Sequence, residues 1–84
     1  MAENLDNIKP DITHDATGTF CPIPITELAK VMKQAKKGQI VELLADDEGA
    51  IQDVPAWCET TGNEYLGYKE EDGVLAFYVK KTQD

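Results

Sequence analysis

The sequence predicts an α+β domain: a two-layer α/β sandwich in the order β-α-β-α-β-β, with a four-stranded mixed sheet and two helices packed on one face. Three observations lead there. Eighty-four residues suffice for one two-layer core and no second. Two stretches space their apolar residues as a helix does, and the short segments around them read as strands bounded by glycine or acidic turns. The order strand, helix, strand implies a right-handed crossover between parallel strands, and a closing hairpin supplies the antiparallel part of the sheet.

Residues 1–10 are polar and read as a flexible lead-in to a single domain over 11–81, with 82–84 as a polar tail. Ile12, His14 and Ala16 alternate with Asp11, Thr13 and Asp15, which suits a short, weakly apolar edge strand. Gly18 breaks that pattern and begins the loop Gly18-Thr19-Phe20-Cys21-Pro22-Ile23-Pro24.

Two prolines two apart cannot lie within a helix, because each lacks an N–H and clashes with the preceding turn. At the first turn the missing hydrogen costs nothing. The economical arrangement places Cys21 at the N-cap, Pro22 at N1 and Pro24 at N3 of the helix that follows. A thiol there faces the positive end of the helix dipole, which favours thiolate. Cysteines in such positions can fall from a pKa of about 8.5 to roughly 3.5–7.5. Because the prolines remove backbone donors, the expectation is a moderately activated, rigidly presented Cys21, the candidate catalytic nucleophile.

Ile25, Leu28, Ala29, Met32 and Ala35 form the apolar stripe of a first helix over 22–37, with Glu27, Lys30, Lys33, Gln34 and Lys37 opposite. Gly38 is expected as its C′ residue, and Lys36 and Lys37 complement the negative helix end. Residues 39–45 are short and mostly apolar, a buried strand. Asp46, Asp47 and Glu48 are placed to cap the start of a second helix, or else form a docking surface; the stripe of that helix is Ile51, Val54, Trp57 and Cys58 and its end is Gly62. Pro55 implies either a kink or a restart with Asp53 as a new N-cap. Tyr65, Leu66 and Tyr68 form a third strand, Glu71-Asp72-Gly73 a turn, and 74–79 a fourth strand.

Sixteen acidic residues against eight basic ones give a formal net charge of −8. That balance argues against direct nucleic-acid binding, which needs clustered Lys and Arg, and fits a soluble protein that docks on other proteins. No apolar run is long enough to cross a membrane, and Met1 to Pro10 has no signal-peptide core. Two cysteines are too few for a disulfide scaffold, so a cytoplasmic, reducing compartment is expected.

The pattern Asp15-Ala16-x-Gly18-x-x-Cys21-Pro22-x-Pro24 resembles the signature of the TusA/SirA-like sulfur-carrier family. So do Ala45-Asp46-Asp47, Asp53-Val54-Pro55-Ala56-Trp57-Cys58, the Gly62/Glu64 region and the final hairpin, over roughly residues 11 to 81. The resemblance implies a two-layer α/β sandwich and a sulfurtransferase-type persulfide relay. Cys21 would receive sulfane sulfur from a donor protein, of cysteine desulfurase or rhodanese type, and pass it to an acceptor protein. It implies supporting roles for the motif residues Pro22, Pro24, Gly18 and Asp15, and no cofactor or metal. Thiouridine synthesis on tRNA, molybdenum-cofactor sulfuration, selenium handling and sulfur oxidation would all use the same carrier surface. Thr17 and Thr19-Phe20 depart from members that are more aliphatic or basic there, and the acidic balance departs from members that work close to tRNA.

Cys58 is read either as a packed core thiol, as free cysteines commonly are, or as a secondary sulfur-handling thiol. A Cys21–Cys58 disulfide would need close α-carbons. His14, alone on an edge strand, is expected to be exposed and stays outside the catalytic set. The Lys30/Lys33/Lys37 face is solvated or contacts an acidic partner or phosphate. Two cysteines and one histidine do not match structural-zinc spacing. The alternative function is a non-catalytic protein-interaction or redox-regulatory module of the same fold.

Overall fold

The elements are β1 (Ile12–Asp15), α1 (Ile23–Gln34), β2 (Ile40–Ala45), α2 (Ala50–Thr61), β3 (Glu64–Glu71) and β4 (Val74–Lys80). They come from a computed structural model that describes residues 8–20 and 22–82; Cys21, most of the expected lead-in and the end of the expected tail lie outside the described residues. The sheet order is β1-β2-β4-β3, so β1 and β3 are the edges. β1 and β2 are parallel, with Ile12 opposite Val41 and Asp15 opposite Leu44. β4 is antiparallel to both β2 and β3. This is the expected α+β arrangement, and the weakly apolar β1 lies at an edge as its composition predicts.

The core lies between sheet and helices. Val41, Leu43 and Ala45 of β2 and Leu75, Phe77 and Val79 of β4 alternate onto the inner face. Leu28, Val31 and Met32 of α1 and Ala50, Val54 and Cys58 of α2 pack in the same cluster. Burying a side chain such as Leu28 or Phe77, both fully enclosed, contributes about 1.5–3 kcal/mol each.

α1 is shorter than its expected span of 22–37, and its frame is displaced by one residue. Pro22, not Cys21, is the N-cap; Ile23 is the first helical residue and Pro24 the second. The Pro22 carbonyl accepts the Thr26 N–H at 3.0 Å, which begins the helical ladder there. At the other end Ala35 turns to an extended conformation (ψ 153°). The next N–H, of Lys36, is captured by the Gln39 side chain at 2.8 Å, and Lys81 Nζ donates to the Ala35 carbonyl at 2.7 Å. Gly38 is therefore not the C′ residue. Its φ of +92° serves the turn into β2, and its N–H is bonded to the Lys81 carbonyl at 2.7 Å.

α2 is one helix from Ala50 to Thr61 with Pro55 inside it, so Asp53 is no new N-cap. Pro55 offers no N–H to the Ile51 carbonyl; burial of Val54 and Cys58 on the same helix holds the backbone helical through it. Gly62 ends the helix at φ +82°, its N–H bonded to the Cys58 carbonyl at 2.8 Å. In the β3–β4 hairpin Asp72 (φ 53°) and Gly73 (φ 81°) both have positive φ, the requirement of a two-residue type I′ turn. Glu71 pairs with Val74 across it.

The sheet face away from the helices carries a polar cluster. Glu42 accepts hydrogen bonds from Thr13 Oγ1 at 3.0 Å and from the Tyr78 hydroxyl at 2.5 Å, while Lys69 Nζ sits 5.9 Å from the Tyr78 ring centre. Burial and the bond to Glu42 push the Tyr78 hydroxyl pKa up.

Candidate functional site

The motif lies in the connection from β1 to α1, at the end of the sheet where β1 and β2 finish. Asp15 ends β1, and its Oδ1 accepts the Thr17 N–H at 2.9 Å and the Thr17 hydroxyl at 2.6 Å. These bonds close a local Asx turn and hold the exposed Asp15 carboxyl below the usual carboxylate range. Thr19 Oγ1 donates to the Ala16 carbonyl at 2.6 Å. Gly18 has φ +82° and open space where a Cβ would sit, so backbone conformation rather than crowding selects glycine here.

The Gly18 N–H points at both oxygens of Asp46, at 3.0 and 3.1 Å. Asp46 therefore does not cap α2 as its sequence neighbours suggested. The N-cap of α2 is Gly49, which makes no side-chain cap bond. At the α2 start Asp47 Oδ1 accepts the Gly49 N–H at 3.1 Å, and the backbone carbonyls of Asp47 and Glu48 accept from Ala50 and Ile51. The carboxylate of Asp46 instead ties the end of β2 to the loop after β1. The signal lies in the parallel pairing: Ala16 N–H bonds the Leu44 carbonyl at 2.7 Å, which places the residues following the two strands side by side. That register is invisible without the crossover.

Beyond Gly18 the loop rises to an apolar tip. Phe20 is 77% exposed and Ile23 47%, Pro22 is exposed, and Pro24 turns its ring into the protein. The Ile23 N–H bonds back to the Phe20 carbonyl at 2.8 Å. The Cys21 thiol itself lies outside the described residues.

Cys58 is a free thiol, 1% exposed on the inner face of α2, and burial pushes its pKa up to about 11. At neutral pH such a group is protonated and shielded, the opposite of what a sulfur nucleophile needs. His14 is not simply exposed: it is half-buried, and its Nε2–H donates to Glu27 Oε1 on α1 at 2.9 Å. Glu27 also lies 3.6 Å from Lys30 Nζ. This pair braces β1 against α1, a contact that periodicity could not reveal because it joins two elements. No helix among the described residues is long and apolar enough to cross a membrane.

A model of the family described as sulfurtransferase TusA matches residues 12–81. A putative sulfur carrier protein of Bacillus subtilis, YrkF, is 40% identical over 74 residues, which are 88% of this chain and 40% of that protein. The chain thus spans well under half the length of that relative. The sulfur carrier protein TusA of Allochromatium vinosum is 38% identical over 68 residues, covering 81% of this chain and 90% of its own. Among solved structures, the crystal structure of a SirA-like protein from Desulfitobacterium hafniense superposes with a TM-score of 0.75 at 30% identity, covering 86% of this chain and 99% of the other.

Proposed function

Because this chain belongs to the sulfurtransferase TusA family, we propose that it relays sulfane sulfur as a persulfide on Cys21, between a donor protein and an acceptor protein. The Cys21 thiolate attacks the outer sulfur of a donor persulfide. A new S–S bond forms at Cys21, the donor's S–S bond breaks, and the donor leaves as thiolate. In the second half an acceptor thiolate attacks the outer sulfur on Cys21 and returns the Cys21 thiolate. Each step moves one sulfur atom with no net oxidation, so the relay needs no redox cofactor.

The observation that carries this reading is the contrast between the two cysteines. Cys58 is enclosed, with its thiol raised to about 11, which leaves Cys21 as the thiol available for exchange. Cys21 is flanked in sequence by exposed Phe20 and Pro22, on a loop pinned by Asp15, Thr19 and Asp46. A pinned loop supports transfer because its flanks need less ordering when two proteins meet.

Intact-mass spectrometry tests the proposal directly. The reduced wild type, Cys21→Ser and Cys58→Ser are incubated with a cysteine desulfurase and its substrate, or with persulfide-loaded rhodanese. The expected result is a gain of one sulfur atom, reversed by reductant, in wild type and Cys58→Ser and missing in Cys21→Ser. Absence of the gain in wild type with both donors overturns the carrier reading in favour of a non-catalytic interaction or redox-regulatory module.

A further inference from the structure

The charges of this protein are sorted by end. β2 and β1 finish, and β4 begins, at the same end of the sheet, since Asp15 pairs Leu44 and Ala45 pairs Leu75. The segments that meet there are the β1–α1 loop, the β2–α2 loop, the first turn of α2 and the β3–β4 turn. They carry Asp15, Asp46, Asp47, Glu48, Asp53, Glu71 and Asp72, and no lysine. The opposite end collects Lys36 and Lys37 after α1 and Lys80 and Lys81 at the close of β4, the last two beside the start of β2, with the carboxylates of Asp11 and Glu64 among them. Among the described residues one end is therefore strongly acidic, with no lysine in its loops, and the other is mixed with an excess of lysine; the Phe20–Ile23 tip stands at the acidic end.

That tip is the most exposed apolar feature of the described surface: Phe20 at 77% and Ile23 at 47%, side by side with exposed Pro22. A phenylalanine left in water at this level contributes nothing to the fold, and aromatic anchors set in a polar rim are the usual composition of a protein–protein hot spot. The acidic residues around it divide into two sets. Asp15, Asp46 and Asp47 are spent on the loop backbone. Glu48, Asp53, Glu71 and Asp72 are exposed, and among the described residues their carboxylates take no part in the bonds that hold the loop.

We propose that the sulfur-bearing end is a docking surface for proteins with an apolar socket framed by Lys and Arg: Phe20 is the anchor, and Glu48, Asp53 and Glu71 steer the encounter. This rests on the carrier reading and adds to it the chemistry of the partner. Complementary charge acts mainly on the encounter rate and fades with salt, whereas loss of the anchor weakens the bound complex at any salt. The lysines at the far end keep away from the partner, so one face of the carrier is selected before contact.

The test separates docking from sulfur chemistry. Loading of Cys21 is measured with sodium tetrasulfide, which needs no docking surface, and with a persulfide-charged cysteine desulfurase. The readout is the ratio of each variant's protein-donor rate to that of the wild type, with tetrasulfide loading as the control that Cys21 still takes up sulfur. The triple charge reversal Glu48→Lys/Asp53→Lys/Glu71→Lys is expected to lower that ratio about tenfold at low salt, with little difference left near 0.5 M salt. Phe20→Ser is expected to lower it about tenfold at both salts. Reversal at the other end, Lys36→Glu/Lys37→Glu, leaves it unchanged. Circular dichroism melts confirm that each variant is folded. An unchanged ratio in the triple variant or in Phe20→Ser overturns the proposal, as does an equal loss in the Lys36/Lys37 variant. If the wild type takes no sulfur even from tetrasulfide, it is the carrier reading that fails.

Discussion

Replacing Asp46 by alanine removes the side chain that, among the described residues, joins the loop after β1 to the end of β2. Its carboxylate receives the Gly18 N–H with oxygens at 3.0 and 3.1 Å, and that N–H then faces solvent. A hydrogen bond to a charged group contributes about 1.5–3 kcal/mol; Asp46 is exposed, and screening reduces this to about 1 kcal/mol. Spent on local opening, 1 kcal/mol makes the open loop about fivefold more populated. Amide hydrogen exchange reads this at one position: the Gly18 amide is expected to exchange about fivefold faster in Asp46→Ala, with the amides of Val41 and Phe77 in the core unchanged. Asp46→Asn keeps one acceptor oxygen and lies between. Sulfur loading of Cys21 from a protein donor slows in the same order, because the loop must be ordered when the two proteins meet. Gly18 exchange that is identical in wild type and Asp46→Ala would refute the assignment of Asp46 as the strut of this loop.

Cys58→Ser puts a hydroxyl where the structure encloses a thiol at 1% exposure; the cost is about 1–3 kcal/mol, read as a fall in Tm of about 4–8 °C per kcal/mol, while loading of Cys21 is retained. The Cys58 thiol titrates at about 11 in the folded protein and at about 8.5 in the unfolded chain. A folded pKa raised in this way contributes stability below pH 8.5 that is lost as pH rises towards 11. Cys58→Ala should flatten that alkaline loss in urea titrations between pH 8 and 11, beside the parallel loss from Tyr65, which burial pushes up to about 12. Asp15 has the opposite sign, since its folded pKa is lowered: its Asx turn is intact above the ordinary carboxylate value and opens as pH falls below about 4, read as a rise in Thr17 amide exchange relative to Asp15→Asn. Tyr78→Phe removes the hydroxyl bond to Glu42 and should cost about 1 kcal/mol in a chemical-denaturation midpoint.

Much of the fold was legible in the chain because its rules are local. The stripe Ile25, Leu28, Ala29 and Met32 has one periodicity, and it became α1. The alternation from Val74 to Val79 became β4, and Gly62 and Gly73 took the left-handed conformations that an ending helix and a tight hairpin require. The neighbourhood of the α1 start was also legible, since two prolines so close to a helical stripe mark where the helix begins. The exact frame was not: the steric rules admit Pro22 at the N-cap as readily as at N1, and only the ladder from the Pro22 carbonyl to Thr26 decides between them.

What tertiary structure alone decided are the pairings between segments far apart in sequence. Asp46 looked like a helix cap because its nearest helix is α2, yet the parallel register of β1 and β2 sets it beside Gly18, where a backbone N–H lacked a partner. His14 looked exposed until α1 crossed over β1 and brought Glu27 within 2.9 Å. Pro55 left a kink and a restart both open, and burial of Val54 and Cys58 against the sheet chose a single helix. The sequence by itself determined which segments are helix or strand and which faces turn inward, because neighbouring residues settle those questions. The strut that holds the loop and the sorting of charge to opposite ends depend on which strands lie side by side, and that is fixed only when the whole sheet forms.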